Sequence, residues 1–309
     1  MKRKFRLTRK QQNMIMIPLL VIGFLLLIYP DISNWYHRIQ HDFFLQEYSD
    51  EVARMAEAEL EYELGRAIAH NLALGGIDAV DPFAPGSGSV LSMEYYNILN
   101  LRSTMGRIEI PAINVNLPIF HGTSDEVLYR GVGHIEHTPF PVGGIGNHSI
   151  LSAHTGLVHA RMFNDLNLLD IDDIFIITIL NNRIAYKVDQ IDIVLPHQIE
   201  VLVNYDDRDL VTLVTCTPYG INSHRLLVRG TRTDYIPDMA DDIASIVSPI
   251  NIRLLIIIGF FIFFVLMIIL YRRKQDKMRD KMRDKIIEKE YQDWERKESQ
   301  LSAFLAKVR

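Results

Sequence analysis

The chain predicts a mainly β domain suspended between two membrane-crossing helices. Three observations carry that prediction. From about Met105 to Tyr235 the sequence is a succession of short, alternating or β-branched runs separated by turn residues. On either side lies a block too apolar for a water-facing surface, Met14–Tyr29 and Leu254–Tyr271. Between the first block and the β region there is one helical pattern and one irregular stretch rich in Pro, Gly and Ser. Many short strands and few helices point to a closed β-barrel or a sandwich.

The N-terminal segment, residues 1–30, starts with a basic head containing Lys2, Arg3, Lys4, Arg6, Arg9 and Lys10, followed by the first apolar block. This is the pattern of a signal or an anchor. Pro30, Asp31, Ile32 and Ser33 follow with no small-residue cleavage pattern, which favours an anchor. Residues 31–76 are expected to form a helical stalk or packing segment. Tyr48, Val52, Ala56, Leu60, Leu64, Ile68 and Leu72 recur four apart, Ser49 or Asp50 can cap the start, and Gly75-Gly76 can end it. Residues 77–104 lose the periodicity, and Asp81-Pro82-Phe83-Ala84-Pro85-Gly86-Ser87-Gly88-Ser89 is turn chemistry, suiting a linker or a lid.

Residues 105–235 form the β domain. Arg107–Ile110 and Ile113–Leu117 alternate on either side of Pro111. Ile174–Leu180 and Arg183–Leu195 flank Asn181-Asn182 as a hairpin, and Leu210–Thr217 and His224–Arg232 complete the set. Residues 236–253 are a linker. The second apolar block, 254–271, holds no charge and is long enough to cross most of a ~30 Å hydrocarbon core. Arg272, Arg273 and Lys274 follow at once, so basic residues flank the outer end of both blocks. The positive-inside rule then places both termini in the cytoplasm and the β domain outside the cell membrane. The tail, 272–309, repeats Asp-Lys-Met-Arg at 276–279 and 280–283 and predicts a solvated helix. Ile287, Tyr291, Trp294, Leu301, Leu305 and Val308 in it fall near heptad positions.

Chemistry narrows the reading further. A net charge of -5 removes the electrostatic case for nucleic acid. The one cysteine, Cys216, ends the run Thr212-Leu213-Val214-Thr215-Cys216, so it cannot form an intramolecular disulfide and is either a nucleophile or an inert buried residue. A nucleophilic thiol needs a base or a lowered pKa, and histidine is the usual partner. Of 11 histidines, His154 has the best context, ending the apolar run from His148 to Ala153 just before a Thr155-Gly156 turn. His134 and His137 have ligand-like spacing but no further ligand pair. Gly143-Gly144-Ile145-Gly146 lacks a following Lys and reads as a turn. No metal or cofactor is expected.

The segments Thr212–Cys216, His154-Thr155-Gly156 and His224–Gly230 resemble the sortases, transpeptidases of the Gram-positive cell surface, over about Met105–Arg232. Two apolar blocks and the Asp81-Pro82-Phe83 motif resemble class C, the pilin polymerases. The resemblance implies a closed sortase-type barrel and a catalytic set of Cys216, His154 and Arg225. Cys216 would cleave an LPxTG-like sorting signal between Thr and Gly through a thioacyl-enzyme. A pilin lysine would then resolve it as an isopeptide. It also implies a lid in which Asp81 pairs with Arg225 and Phe83 covers the thiol. Two other readings stand beside this one: attachment of surface proteins to peptidoglycan, and a membrane-tethered scaffold that binds without catalysis.

Overall fold

The computed structural model describes residues 9–74, 80–88, 90–157, 161–201, 207–235 and 252–308. The expected Gly75-Gly76 stop, Ser89, the start of the basic head and nearly all of the 236–253 linker lie outside them. The described residues divide into two compact units, one drawn from Met1–Ile28 and Pro249–Arg309, the other from Tyr29–Ser248.

In the first unit lie the start of α1 (Arg9–Arg54) and α5 (Ile252–Val308). Both helices are long and apolar enough to cross a membrane. Phe24 stacks on Phe261 with ring centroids 3.9 Å apart. Beyond the apolar stretch α5 continues as a charged helix, with Ile287, Tyr291 and Trp294 exposed.

The second unit holds the rest of α1, α2 (Glu57–Ala73), α3 (Met93–Tyr96), α4 (Asp125–Arg130) and eight strands. α1 runs without interruption past Pro18 and Pro30. A helix-interior proline removes one backbone bond, and the surrounding helix absorbs that loss. The expected cap at Ser49 is absent, because its hydroxyl donates back to the Leu45 carbonyl at 2.8 Å. The real break is at residues 55–56. There the Ala56 N–H donates to the Glu59 carboxylate at 3.0 Å and starts α2.

The predicted apolar stripe holds only in part. Tyr48 and Val52 are buried and Leu60 and Leu64 pack on the core, but Ile68 and Leu72 are exposed. Ala67 and Asn71 are buried in their place. Steps of four overshoot a 3.6-residue turn, so a strict four-residue series rotates off the buried face within a few turns. Asn71 fastens α2 to the β domain, accepting from the Phe140 N–H at 2.7 Å and donating to its carbonyl at 3.0 Å.

The strands are β1 (Gly106–Ile110), β2 (Val115–His121), β3 (Val132–His134), β4 (His148–Ser152), β5 (Ile174–Ile179), β6 (Asn182–Val194), β7 (Leu210–Thr217) and β8 (His224–Thr233). They close into a barrel in the order β1-β2-β3-β4-β7-β8-β6-β5. Pairs β2–β3 and β4–β7 are parallel and the others antiparallel. Closure leaves no free sheet edge. The interior is filled by Ile108, Ile119, Leu151, Phe163, Phe175, Ile177, Val211, Leu213 and Val228, all fully buried. Each such side chain contributes roughly 1.5–3 kcal/mol by leaving water. Gly230 sits beneath the Phe175 ring, where a β-carbon would come within 2.6 Å of it. The predicted 181–182 hairpin turn is present, with Leu180 in the left-handed region at φ 53°. The Gly143–Gly146 segment is the expected turn, with φ of 77° at Gly143 and 117° at Gly144.

Candidate active site

β7 lies between β4 and β8, and that placement assembles the site. On one side the antiparallel register pairs Cys216 with Arg225. On the other the parallel register ends at Ser152↔Val214, two residues short of His154. Beyond that point the Ala153 N–H donates to the Val214 carbonyl at 3.2 Å, and the Thr215 hydroxyl donates to the Ala153 carbonyl at 2.7 Å. Three neighbouring strand ends thus carry the thiol, the guanidinium and the imidazole to one end of the barrel.

Cys216 and Arg225 are each 6% exposed. The segment holding Asp81 and Phe83 covers them. Arg225 donates from Nε to Asp81 Oδ1 at 2.8 Å and from Nη2 to Oδ2 at 2.7 Å, a bidentate pair. Its Nη1 donates to the carbonyls of Asn222 at 3.0 Å and His224 at 3.1 Å. The Phe83 ring centroid lies 5.1 Å from Arg225 Cζ and 5.5 Å from the His154 ring centroid, so one aromatic bridges the two. The same ring packs on a small apolar cluster that includes Ile135, Ile150, Ile199, Val214 and Leu227.

The segment is also held further along. Ser87 Oγ is 3.3 Å from Thr123 Oγ1, and the Ser92 N–H donates to the Glu136 carboxylate at 2.9 Å.

Burial pushes the Cys216 thiol up to about 11; the Arg225 charge works against this and the Asp81 charge adds to it. For Arg225 burial acts to lower the pKa, but the bonds to Asp81, with the Cys216 and Asp81 charges, outweigh it and raise the pKa. As arranged, the thiol is protonated and the guanidinium fork is occupied.

All five residues expected at the site converge here: Cys216, His154, Arg225, Asp81 and Phe83. Thr215 and Asn164 were not foreseen. Asn164 Oδ1 accepts from the Gly156 N–H at 2.8 Å and the Thr155 hydroxyl at 3.3 Å, bracing the turn after His154. Nothing in the spacing of these residues announces that contact. His134 is fully buried, its ring nitrogens 2.8 Å from the Tyr95 hydroxyl and 2.9 Å from the Pro139 carbonyl. Among the described residues no group of three or more His, Cys, Asp or Glu could hold a metal ion.

A closed mixed barrel with a thiol, a guanidinium and an imidazole on adjacent strand ends defines a thiol-bearing domain with the parts for acyl transfer. A sortase domain matches residues 108–233, and the chain belongs to the sortase family. Its structural neighbours are class C sortases. It is 40% identical to sortase C-1 from Streptococcus pneumoniae, with a TM-score of 0.60, covering 62% of this chain and 98% of that one. It is 41% identical to sortase C-1 from Actinomyces oris, with a TM-score of 0.54, covering 57% of this chain and 99% of that one. Among curated relatives, sortase D of Bacillus subtilis is 32% identical over 135 residues, 41% of this chain and 63% of that protein. Sortase A of Bacillus anthracis is 28% identical over 132 residues, 43% of this chain and 61% of that protein. The chain thus spans about six tenths of the length of these curated relatives.

Proposed function

We propose that this chain is a membrane-anchored cysteine transpeptidase that joins pilin subunits. The observation that carries the reading is the Asp81-Pro82-Phe83 segment seated over Cys216, with Asp81 in a bidentate pair with Arg225 at 2.7 and 2.8 Å. It is supported by the likeness to class C sortases. One of these, the sortase C of Streptococcus pneumoniae, 41% identical at a TM-score of 0.59, has been described for its pilin substrate specificity.

Catalysis starts once Asp81 leaves Arg225. The guanidinium is then free at Nε and Nη2, while Nη1 stays tied to the Asn222 and His224 carbonyls and keeps the fork aimed. His154 takes the thiol proton as the Cys216 sulfur attacks the threonine carbonyl of an LPxTG-like sorting signal. Arg225 hydrogen-bonds the oxygen on which charge develops, a role suited to a group that stays charged and presents fixed donors. His154 gives its proton to the departing glycine amine as the C–N bond breaks, leaving a thioacyl-enzyme. A pilin lysine amine then attacks the thioester, His154 takes its proton, and the sulfur leaves as an isopeptide forms. Phe83 and Asp81 shield the site from water and stray nucleophiles between cycles.

The two apolar helices fix the enzyme in the cell membrane. Arg272, Arg273 and Lys274 after the second span, and the basic head before the first, orient both termini to the cytoplasm and the barrel outward. The test is polymer formation by Cys216→Ala in cells making the pilin. Loss of the polymer supports the proposal, and its persistence sinks it in favour of a binding scaffold. Mass spectrometry of the product distinguishes the acceptors. A lysine isopeptide supports pilin joining, and a cell-wall cross-bridge peptide would move the assignment to attachment on peptidoglycan.

A further inference from the structure

The backbone around His154 is tied on both sides. The Ala153 carbonyl, which shares a peptide plane with the His154 N–H, accepts from the Thr215 hydroxyl at 2.7 Å. The His154 carbonyl accepts from the Phe163 N–H at 3.1 Å. These two bonds orient the peptide planes on either side of His154, and the second holds only while the segment carrying Phe163 and Asn164 stays against the turn that follows His154.

The turn that follows has its own brace. Gly156 lies in the left-handed region at φ 84°, and a β-carbon there would come 3.5 Å from the Gly220 nitrogen in the β7–β8 loop. One carboxamide oxygen, Oδ1 of Asn164, receives both the Gly156 N–H at 2.8 Å and the Thr155 hydroxyl at 3.3 Å. A carbonyl oxygen has two lone pairs and can serve both. Asn164 is steadied in turn by its N–H, which donates to the Arg161 carbonyl at 2.7 Å.

We infer that Asn164 is a positioning residue for the His154 imidazole, holding the Thr155–Gly156 turn so that the ring keeps its place in the cleft now occupied by Phe83. Without the side-chain oxygen the turn loses two of its bonds, and the ring drifts from the line between sulfur and leaving amine. The inference rests on His154 being the acid–base residue of the proposed reaction.

The experiment uses the full chain in detergent, with the site opened by Asp81→Ala and Phe83→Ala, turning over a fluorogenic Leu-Pro-x-Thr-Gly peptide. Asn164→Ala in that background is expected to lower kcat roughly 10- to 100-fold with KM unchanged, the scale of loss that follows a small misplacement of a catalytic group. Asn164→Asp keeps an oxygen for both donors, so it should restore kcat to within about threefold. It also adds a negative charge near the imidazole, which should move the His154 limb of the pH–rate profile to higher pH. An Asn164→Ala variant within about twofold of its parent, or an Asn164→Asp variant as damaged as the alanine one, would overturn the inference. His154→Ala and Cys216→Ala in the same background test the underlying reading separately. Their full activity would sink the proposed reaction itself, whatever Asn164 does.

Discussion

Replacing Asp81 with alanine should turn a shielded thiol into a reactive one. Asp81 and Arg225 are only 13% and 7% exposed in their side chains, and two charge-assisted bonds of 2.7 and 2.8 Å join them. Bonds of this kind contribute about 1.5–3 kcal/mol each. Losing both shifts the balance between the covering segment seated and unseated by at least ~3 kcal/mol, or about 100-fold. The thiol responds to the same change. Burial carries it from the ordinary value of 9.0 to about 11, with Asp81 adding to the rise. That difference thins the thiolate about 100-fold at neutral pH. Uncovering the site removes the burial and the Asp81 charge and leaves Arg225, which favours the thiolate. Carbamidomethylation of Cys216 by iodoacetamide, followed by intact mass at about pH 7.5, should therefore accelerate on the order of 100-fold in Asp81→Ala, with the pH midpoint of labelling falling from about 11 toward 9.0. Cys216 is the one cysteine in the chain, so labelling reports on it alone. A rate within about threefold of the parent, with the midpoint still near 11, would refute the reasoning.

Three further outcomes are expected. Asn71→Ala removes both bonds to Phe140 and leaves its buried N–H unpaired, so thermal unfolding should show a loss of about 2–4 kcal/mol. Burial holds His121 down to about 4 and His134 down to about 3, against 6.5 when unfolded. Both therefore bind protons less readily when folded, so their contribution is complete above 6.5 and declines as pH falls through that window. The melting temperature should drop as pH falls from about 6.5 toward 4, and less steeply in His121→Gln. Gly230→Ala would press a methyl to 2.6 Å from the Phe175 ring, and overpacking of this kind costs about 1–3 kcal/mol by denaturant titration.

The barrel was largely legible because alternation and β-branching report a half-buried sheet directly. Six of the eight strands coincide with runs readable by eye, and β4 with the apolar run leading to His154. β3 escaped notice. It is three residues long, with Gly133 in the middle, where a β-carbon would come 2.3 Å from the Gly122 carbonyl. Closure and strand order were not in the local pattern, since the parallel β4–β7 contact joins residues more than 60 apart. The α1–α2 break fell six residues past the expected cap because Ser49 bonds backward along its own helix. At the site, Cys216 was visible as a lone thiol at a strand end, and His154 from its turn. That Arg225 stands opposite Cys216 is a matter of register. The Asp81–Arg225 pair spans 144 positions, and only resemblance to a family suggested it. Asn164 acts through a carboxamide oxygen on a backbone N–H, a contact that leaves no mark in residue type or spacing.

The covered thiol has a consequence for survival under oxidants. Oxidants attack the thiolate, and the ladder from sulfenic to sulfinic and sulfonic acid becomes irreversible unless a second thiol captures the first product as a disulfide. Cys216 has no second cysteine in its own chain to rescue it. Keeping Cys216 buried, with its thiol pushed up to about 11, makes the resting protein a poor target for peroxide. On the proposed function, the interval of vulnerability would shrink to the moments when a substrate has displaced Phe83, and the working life of each molecule would be set by turnovers rather than by elapsed time.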